Sequence, residues 1–312
     1  MISILCPCYN EEKSLPLFYQ SVIRIMEKTG EQFEIIFVND GSKDNTIEIL
    51  KSLSESDSRL KAIDFSRNFG KEAAITAALD YSSGDAVIIL DADLQQPPEL
   101  IPKMLAKWRE GYDVVAARRD RATDSFIKKF TALTFYRLHN AFSQIEIPAN
   151  VGDFRLMSRR VVNALNSMKE SQRFMKGLFA WAGFKTCFID YKVAKRAAGE
   201  SKFNLLRLWS LAIEGITSFS AFPLTMWGII GAIIAMGAFI YGLYIFFQAI
   251  IYGLDVPGYA TLLCLILLFG GLQLLGIGII GEYLGRTYIE SKNRPIYIIR
   301  EIYSHEKINS EC

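Results

Sequence analysis

Two carboxylates one residue apart, Asp91 and Asp93, directly follow the apolar run "VIIL" (87–90). Such a run is typical of a strand buried on both faces, and open α/β sheets bind their ligands at the carboxyl ends of these strands. Carboxylate oxygens in this position suit a hard divalent cation. Mg²⁺ takes one or two carboxylates together with substrate phosphates, and Mn²⁺ accepts the same ligands. We therefore predict a metal site on Asp93, with Asp91 beside it and Gln95 on the same side of an extended chain.

Three further apolar runs also end in polar residues: "PCYNEE" (7–12), "VNDGSKDNT" (38–46) and "DFSRNFGKE" (64–72). Taken singly, each suits an ordinary turn or the start of a helix. Together they bring carboxylates, amides and cations to one edge of a sheet, which predicts a ligand site. Arg67 and Lys71 would add positive charge near phosphates or a sugar. The sequence has no Walker motif, which argues against an ATPase.

Short apolar runs alternate with amphipathic stretches over residues 1 to about 120. This alternation predicts an α/β fold with a mostly parallel sheet covered on both faces by helices. The predicted strands are "ISILCPCY", "FEIIFVND", "LKAIDFS", "AVIILDAD" and "DVVAARR".

Composition excludes several other classes of protein. The five cysteines are odd in number and lack zinc spacing, and there are only two histidines, so neither a disulfide framework nor a structural zinc site is expected. The net charge of +2 gives no indication of a nucleic-acid partner. The N-terminus has no basic region, and its apolar run is too short for a signal peptide.

The C-terminal third has the composition of a membrane segment. Residues 208–285 contain no Lys or Arg, and two apolar runs there, 222–253 and 259–281, each exceed the roughly 20 residues that span a bilayer. We predict two transmembrane helices; the alternative is a pair of buried helices in a soluble domain. The basic residues flank the pair and the connecting "LDVPGY" has none, so the positive-inside rule places both chain ends in the cytoplasm.

Two amphipathic segments lie between the predicted sheet and the membrane. Residues 124–144 and 202–220 carry apolar residues at helical spacing with basic residues among them, which is typical of helices lying in the membrane interface. The alternative is an ordinary amphipathic helix packed on the sheet. The predicted layout is therefore an α/β domain over 1–200, which includes the first of these helices, and then an interfacial helix over 201–220. Two transmembrane helices over 221–286 and a tail over 287–312 complete it.

The polar motifs resemble those of a known enzyme family over essentially the whole chain. They are "PCYNEE", "NDGSKDNT", "SRNFGKE", "DADLQ", "GDFRLMSR" and "GESKF", followed by two apolar spans and "GEYLGRTYIE". This series resembles the polyprenyl-phosphate glycosyltransferases of the inverting GT-A group, family 2. It is most similar to the bactoprenol (undecaprenyl-phosphate) glucosyltransferases, which are relatives of dolichyl-phosphate mannose synthase.

The resemblance implies roles for individual residues. Asp91, Asp93 and Gln95 match the motif that binds metal and diphosphate. Asp153 matches the acidic residue that the family offers as catalytic base near the acceptor; an N-cap or an ion pair with Arg155 is the structural alternative. The remaining matched positions bind substrate: Pro7, Tyr9, Asn10, Glu11 and Asp40 at the nucleotide, Arg155 beside Asp153, and Arg196, Ser201 and Lys202 at phosphate oxygens.

The implied reaction is inverting transfer of glucose from UDP-glucose to undecaprenyl phosphate, for modification of a cell-surface glycan such as O-antigen. It implies Mg²⁺ or Mn²⁺ as cofactor, a multi-pass protein of the bacterial inner membrane with its catalytic domain in the cytoplasm, and a homo-oligomer, a tetramer by resemblance. N-acetylhexosamine, mannose or aminoarabinose donors remain alternatives. A processive polysaccharide synthase is disfavoured because the Gln-x-x-Arg-Trp motif and further spans are missing. A non-catalytic nucleotide-sugar binding protein is the alternative of a different class.

Overall fold

The computed structural model describes residues 1–120, 148–171, 173–192, 222–252 and 258–305. The strands in these ranges are β1 (Ile2–Cys8), β2 (Phe33–Asn39), β3 (Leu60–Phe65), β4 (Ala86–Ile89), β5 (Val114–Arg119), β6 (Val151–Ser158), β7 (Thr186–Tyr191) and β8 (Ile299–Ser304). The helices are α1 (Leu15–Thr29), α2 (Thr46–Ser56), α3 (Lys71–Asp80), α4 (Ile101–Arg109), α5 (Arg159–Ser167), α6 (Met175–Trp181), α7 (Phe222–Tyr252) and α8 (Tyr259–Ser291), with a 3₁₀ turn at Pro98–Leu100.

All eight strands belong to one sheet in the order β7-β5-β6-β4-β1-β2-β3-β8. Strands β1 to β4 pair in parallel, and β5 is parallel to β7. Strand β6 runs antiparallel between β4 and β5, and β8 runs antiparallel beside β3. The predicted α/β fold with a mostly parallel sheet and its five strands is confirmed. The antiparallel strands β6 and β8 were not predicted.

Apolar side chains cover both faces of the sheet. Every residue of β4 is buried, as the run "VIIL" predicts. Cys6 and Cys8 are free thiols. Both lie in the apolar cluster on the side of the sheet that α1 and α4 cover. Helix α1 shows why the helices form where they do. It has proline in its first turn, it buries an apolar stripe, and it ends at Gly30 in the left-handed conformation.

Helices α7 and α8 differ from the others because they do not pack into the core. Their segments Leu224–Ile245 and Leu268–Ser291 have mean hydropathies of 2.0 and 1.4, and 0% and 6% of these windows are buried. Both are long and apolar enough to cross a membrane. Their exposure contradicts the alternative of two buried helices in a soluble domain.

After α8 the chain returns to the sheet. The Ser171 amide donates to the Glu290 carboxylate at 2.9 Å, near the end of α8. The Tyr297 ring stacks on Phe65 with 5.2 Å between centroids, and its hydroxyl donates to Asp80 at 2.7 Å. Strand β8 then pairs with β3. Residues 287–312, predicted as a tail, thus include an edge strand of the sheet.

Several predictions lie outside the described residues. These are the interfacial helix at 124–144, that at 201–220, and the substrate-binding positions Arg196, Ser201 and Lys202.

Candidate functional site

The carboxyl ends of β1 to β4 meet at one edge of the sheet, as the polar motifs predict. Antiparallel strand β6 brings its own first residues to this edge, since Arg155 pairs with Ile89 at the end of β4. The Lys71 ammonium, at the start of α3, joins the two strands. It lies 2.7 Å from Asp91 Oδ1 and 2.9 Å from Asp153 Oδ2. A single cation therefore links the predicted metal motif to the predicted acceptor carboxylate.

These charges set one another's protonation. Burial alone would raise the pKa of Asp153, but the positive charges of Lys71, Lys176 and Arg155 outweigh it and leave that pKa below its ordinary value. Burial raises the pKa of Asp91 despite Lys71. The pKa of Lys71 lies well above its usual range because the two carboxylates outweigh the cost of burying its charge. Asp153 is thus ionised at neutral pH. Its ion-pair partner is Lys71, and not Arg155, which was the structural alternative for this residue.

Side chains of the protein contact both oxygens of the Asp91 carboxylate. Lys71 contacts one oxygen, and the Gln96 side-chain amide donates to the other at 2.7 Å. The Gln96 carbonyl in turn accepts the Asp91 backbone N–H at 3.0 Å. Sequence reasoning singled out Gln95 and missed Gln96, because the contact depends on how the chain turns.

The chain is not extended between Asp91 and Gln95, contrary to our prediction. Leu94 adopts a left-handed conformation with φ of 58°, and the Gln95 backbone N–H donates to Asp93 Oδ1 at 3.1 Å. This tight turn folds the backbone around the Asp93 carboxylate.

Hydrogen bonds connect the loops that follow β1 and β2. Asn10 has a positive φ of 57°; its amide donates to Ser42 Oγ at 2.9 Å, and its side-chain oxygen accepts the Lys43 N–H at 2.8 Å. The Glu11 amide donates to Thr46 Oγ1 at 2.9 Å. These bonds fix the predicted nucleotide-binding residues. Pro7 is half-buried at the end of β1, and the Tyr9 ring beyond it is 44% exposed.

Glu11 also belongs to the carboxylate group at the edge. Burial, followed by the nearby charges of Asp93, Asp91 and Asp44, raises its pKa. Repulsion among carboxylates that face one another is relieved by a cation.

Asp40, predicted at the nucleotide, uses its carboxylate to hold the loop after β3. It is buried and accepts the N–H groups of Phe69 at 2.6 Å and Gly70 at 3.0 Å. The adjacent Gly41 has φ of 64° and packs so closely that a Cβ would lie 2.5 Å from the backbone carbon of Arg67. Asp40 and Gly41 therefore position Arg67 and Lys71. The exposed Arg67 guanidinium lies 4.0 Å from the Phe69 ring centroid.

Glu72 and Arg155 both lie beside Asp153, and sequence reasoning singled out only Arg155. Burial, and then the charge of Asp153, raises the pKa of Glu72 to about 7. Arg155 is 5% exposed, and burial lowers its pKa to about 10. Within the described residues, Glu72 Oε2, Asp153 Oδ1 and Arg155 Nε are buried without a hydrogen-bond partner. Sequence reasoning placed Arg155 beside Asp153 but missed Glu72, which comes from α3.

The donor set fits a divalent cation completed by substrate. Among the described residues no group of three or more His, Cys, Asp or Glu side chains is arranged to enclose a metal. Mg²⁺ needs only one or two carboxylates when substrate phosphates supply further oxygens. Lys71 and Gln96 contact the two oxygens of Asp91, and Asp93, which accepts the Gln95 N–H, remains the predicted direct ligand.

Comparisons with known proteins agree with this chemistry. The profile of "Glycosyl transferase family 2" matches residues 3–165. A prophage bactoprenol glucosyl transferase homolog of Escherichia coli (strain K12) is 51% identical and covers 96% of this chain and 99% of its own. The bactoprenol glucosyl transferase of Shigella phage SfV is 50% identical, with 96% and 98% covered. An uncharacterized glycosyltransferase of Synechocystis sp. is 46% identical, with 99% and 98% covered. The similarity thus runs through both apolar helices as well as the sheet.

Proposed function

This chain belongs to glycosyl transferase family 2, and we propose that it transfers glucose from UDP-glucose to a polyprenyl phosphate, with undecaprenyl phosphate as acceptor. The resemblance stated from its motifs is confirmed, and the protein is a glycosyltransferase of GT-A fold. Support for glucose and for the lipid comes from relatives about 50% identical over nearly the full chain that are named bactoprenol glucosyl transferases. The observation that carries the proposal is the bridge from Asp91 through Lys71 to Asp153, which joins the two halves of a transfer site.

Asp93 would hold Mg²⁺ or Mn²⁺ together with the diphosphate of the sugar donor, and Gln95 lies in the same turn. When bound, the cation supplies positive charge where the departing UDP becomes more negative. Glu11 adds a carboxylate whose charge the cation would offset. Arg67, just beyond the carboxyl end of β3, would contribute a further positive charge near the phosphates.

The acceptor needs little help from a base. A phosphate monoester has a second pKa of about 6 and is largely ionised near neutrality. A carboxylate with a lowered pKa is also a weak base, so the ionised Asp153 is suited to orient the acceptor and Lys71 rather than to remove a proton. Attack by a phosphate oxygen on the anomeric carbon, opposite the leaving UDP, inverts the configuration at that carbon.

The apolar helices explain how such an acceptor is reached. A phosphate on a long isoprenoid stays in the bilayer, and helices α7 and α8 would keep the catalytic sheet at the membrane surface. We place the protein in the bacterial inner membrane with its catalytic domain and both ends in the cytoplasm, because basic residues flank the hairpin. Gly281 and Gly285 have the spacing that permits close helix contact in a homo-oligomer.

Transfer of labelled sugar into organic-extractable lipid tests the proposal. Membranes containing the full chain are supplied with undecaprenyl phosphate, Mg²⁺ or Mn²⁺, and UDP-glucose, UDP-N-acetylglucosamine or GDP-mannose. We expect lipid product from UDP-glucose, and a loss of about a hundredfold or more in Asp93→Asn, since removing one group that stabilises developing charge costs about 3 kcal/mol. Glu99→Gln, at an exposed carboxylate just beyond the same turn, is the matched control and should retain activity.

The remaining outcomes separate the alternatives. If lipid product forms only from another nucleotide sugar, the proposed type of reaction stands, but glucose is not the sugar that is transferred. No product from any of the three donors would favour a nucleotide-sugar binding protein.

A further inference from the structure

A groove of about 160 Å³ lies between helix α6 and strands β5 and β7. Its walls are mainly apolar and include Phe179, Phe184 and Phe188. Two cationic side chains, Arg155 and Lys176, also line it. Aromatic rings and cations in one groove match a ligand that has an anionic group next to an apolar chain.

The Arg155 guanidinium is buried and forms no ion pair among the residues that the structure describes, although the charges of Asp153 and Glu72 act on it. Its Nη2 donates to the Gly152 carbonyl at 2.6 Å, and the group lies 3.5 Å from the Phe179 ring centroid. Its Nε lacks an acceptor among the residues that the structure describes. A buried cation with a free donor is costly unless a ligand satisfies it.

The second cation is also unmatched. Within the described ranges, Lys176 forms neither a hydrogen bond nor an ion pair. Three cations, Lys71, Arg155 and Lys176, lie near three carboxylates, Asp91, Asp153 and Glu72, and Glu72 is about half protonated at neutral pH. The groove therefore carries an excess of positive charge.

Strand order separates this groove from the nucleotide loops. The loops after β1 and β2 lie on one side of β4, and β5 and β7 lie on the other, beyond β6. The bridge from Asp91 through Lys71 to Asp153 lies between them. An inverting displacement needs the acceptor and the leaving group on opposite sides of the sugar, and this arrangement supplies two such sides.

We propose that this groove binds the acceptor: Arg155 and Lys176 hold the phosphate of the polyprenyl phosphate, and Phe179, Phe184 and Phe188 contact its first isoprene units. The inference rests on the proposed function, since it assigns the position of that reaction's lipid substrate.

Kinetics of the full chain in lipid nanodiscs test the assignment. In Lys176→Gln we expect the KM for undecaprenyl phosphate to rise about tenfold and the KM for UDP-glucose to stay within twofold of wild type. Lys185→Gln is the matched control, because Lys185 lies over the Tyr112 ring, at 4.6 Å from its centroid, and does not line the groove. An unchanged acceptor KM, or a rise in the UDP-glucose KM instead, would overturn the proposal.

Calorimetric titration without sugar donor gives a second readout. Geranyl phosphate should bind the wild-type protein more tightly than geraniol or inorganic phosphate, and Lys176→Gln should weaken it about tenfold. Phe188→Ala, at a ring 41% exposed, should weaken geranyl phosphate severalfold and leave inorganic phosphate unchanged. Equal binding of geranyl phosphate by wild type and both variants would refute the groove as the lipid site. The titration needs no turnover, so it tests the groove even if wild-type membranes transfer no sugar, which would refute the proposed function alone.

Discussion

Lys71→Met tests the bridge at the centre of the site. Two unit charges at the 2.9 Å separation of Lys71 and Asp153 interact by about 6 kcal/mol at an effective dielectric constant of 20 and by about 1.4 kcal/mol in water. The Lys71 side chain is 44% exposed, so solvent screening favours a value near the lower limit, about 2 kcal/mol.

Two effects on catalysis follow. Without Lys71 the pKa of Asp153 rises, so the variant should lose activity more steeply than wild type as pH falls. The loss of one positive charge beside two carboxylates also weakens the binding of anionic substrates. If the lost interaction energy of about 2 kcal/mol appears in the activation free energy, kcat/KM at pH 7 falls roughly thirtyfold.

The assay is lipid-linked glucose formation at initial rate over pH 4.5 to 9. Lys103→Met removes an exposed lysine from α4 and serves as the control, with melting curves of both variants to verify folding. If Lys71→Met folds, keeps kcat/KM within threefold of wild type and loses activity with falling pH no more steeply than wild type, then Lys71 does not hold Asp153 in its ionised state.

Two further predictions concern stability and can be followed by urea unfolding with pulse proteolysis. The pKa of Glu72 is raised to about 7, so wild type loses stability relative to Glu72→Gln as pH rises from about 4.5 to 7; we expect the variant to be roughly 2–3 kcal/mol more stable at pH 8 and equal at pH 4. An unchanged difference across that range would contradict the assigned pKa. Although burial opposes it, hydrogen bonds from Arg59 and Tyr19 lower the pKa of Asp57 to about 2, so Asp57→Asn should cost about 2 kcal/mol at pH 7. This cost should fade as pH falls from about 4 to 2, and a cost that persists at pH 2 would show that ionisation is not its source.

Local patterns were sufficient to predict the sheet edge. The apolar runs of β1 to β5 end in the polar motifs, and parallel pairing brings their ends together, so Asp91, Asp93 and Lys71 were placed in one site from the sequence. These features depend on residues close together in the chain or on one regular arrangement.

Contacts between distant segments were not predictable in the same way. Lys71 was expected near phosphates, but it pairs with Asp91 and Asp153 because antiparallel β6 lies beside β4, a register that no local pattern sets. Gln96 contacts Asp91 only because the chain turns at Leu94.

Strand β8 places a condition on how this protein is assembled. Its partner β3 is made roughly 230 residues earlier, and at about 5–20 residues per second its edge stays unpaired for roughly 10 to 50 s. Both apolar helices are synthesised in that interval. In the proposed membrane topology two crossings return the chain to the side it left, whereas a single crossing would leave β8 and β3 on opposite sides of the bilayer. In that topology closure of the sheet would report correct insertion, because a chain with a misinserted hairpin would keep an unpaired edge at β3.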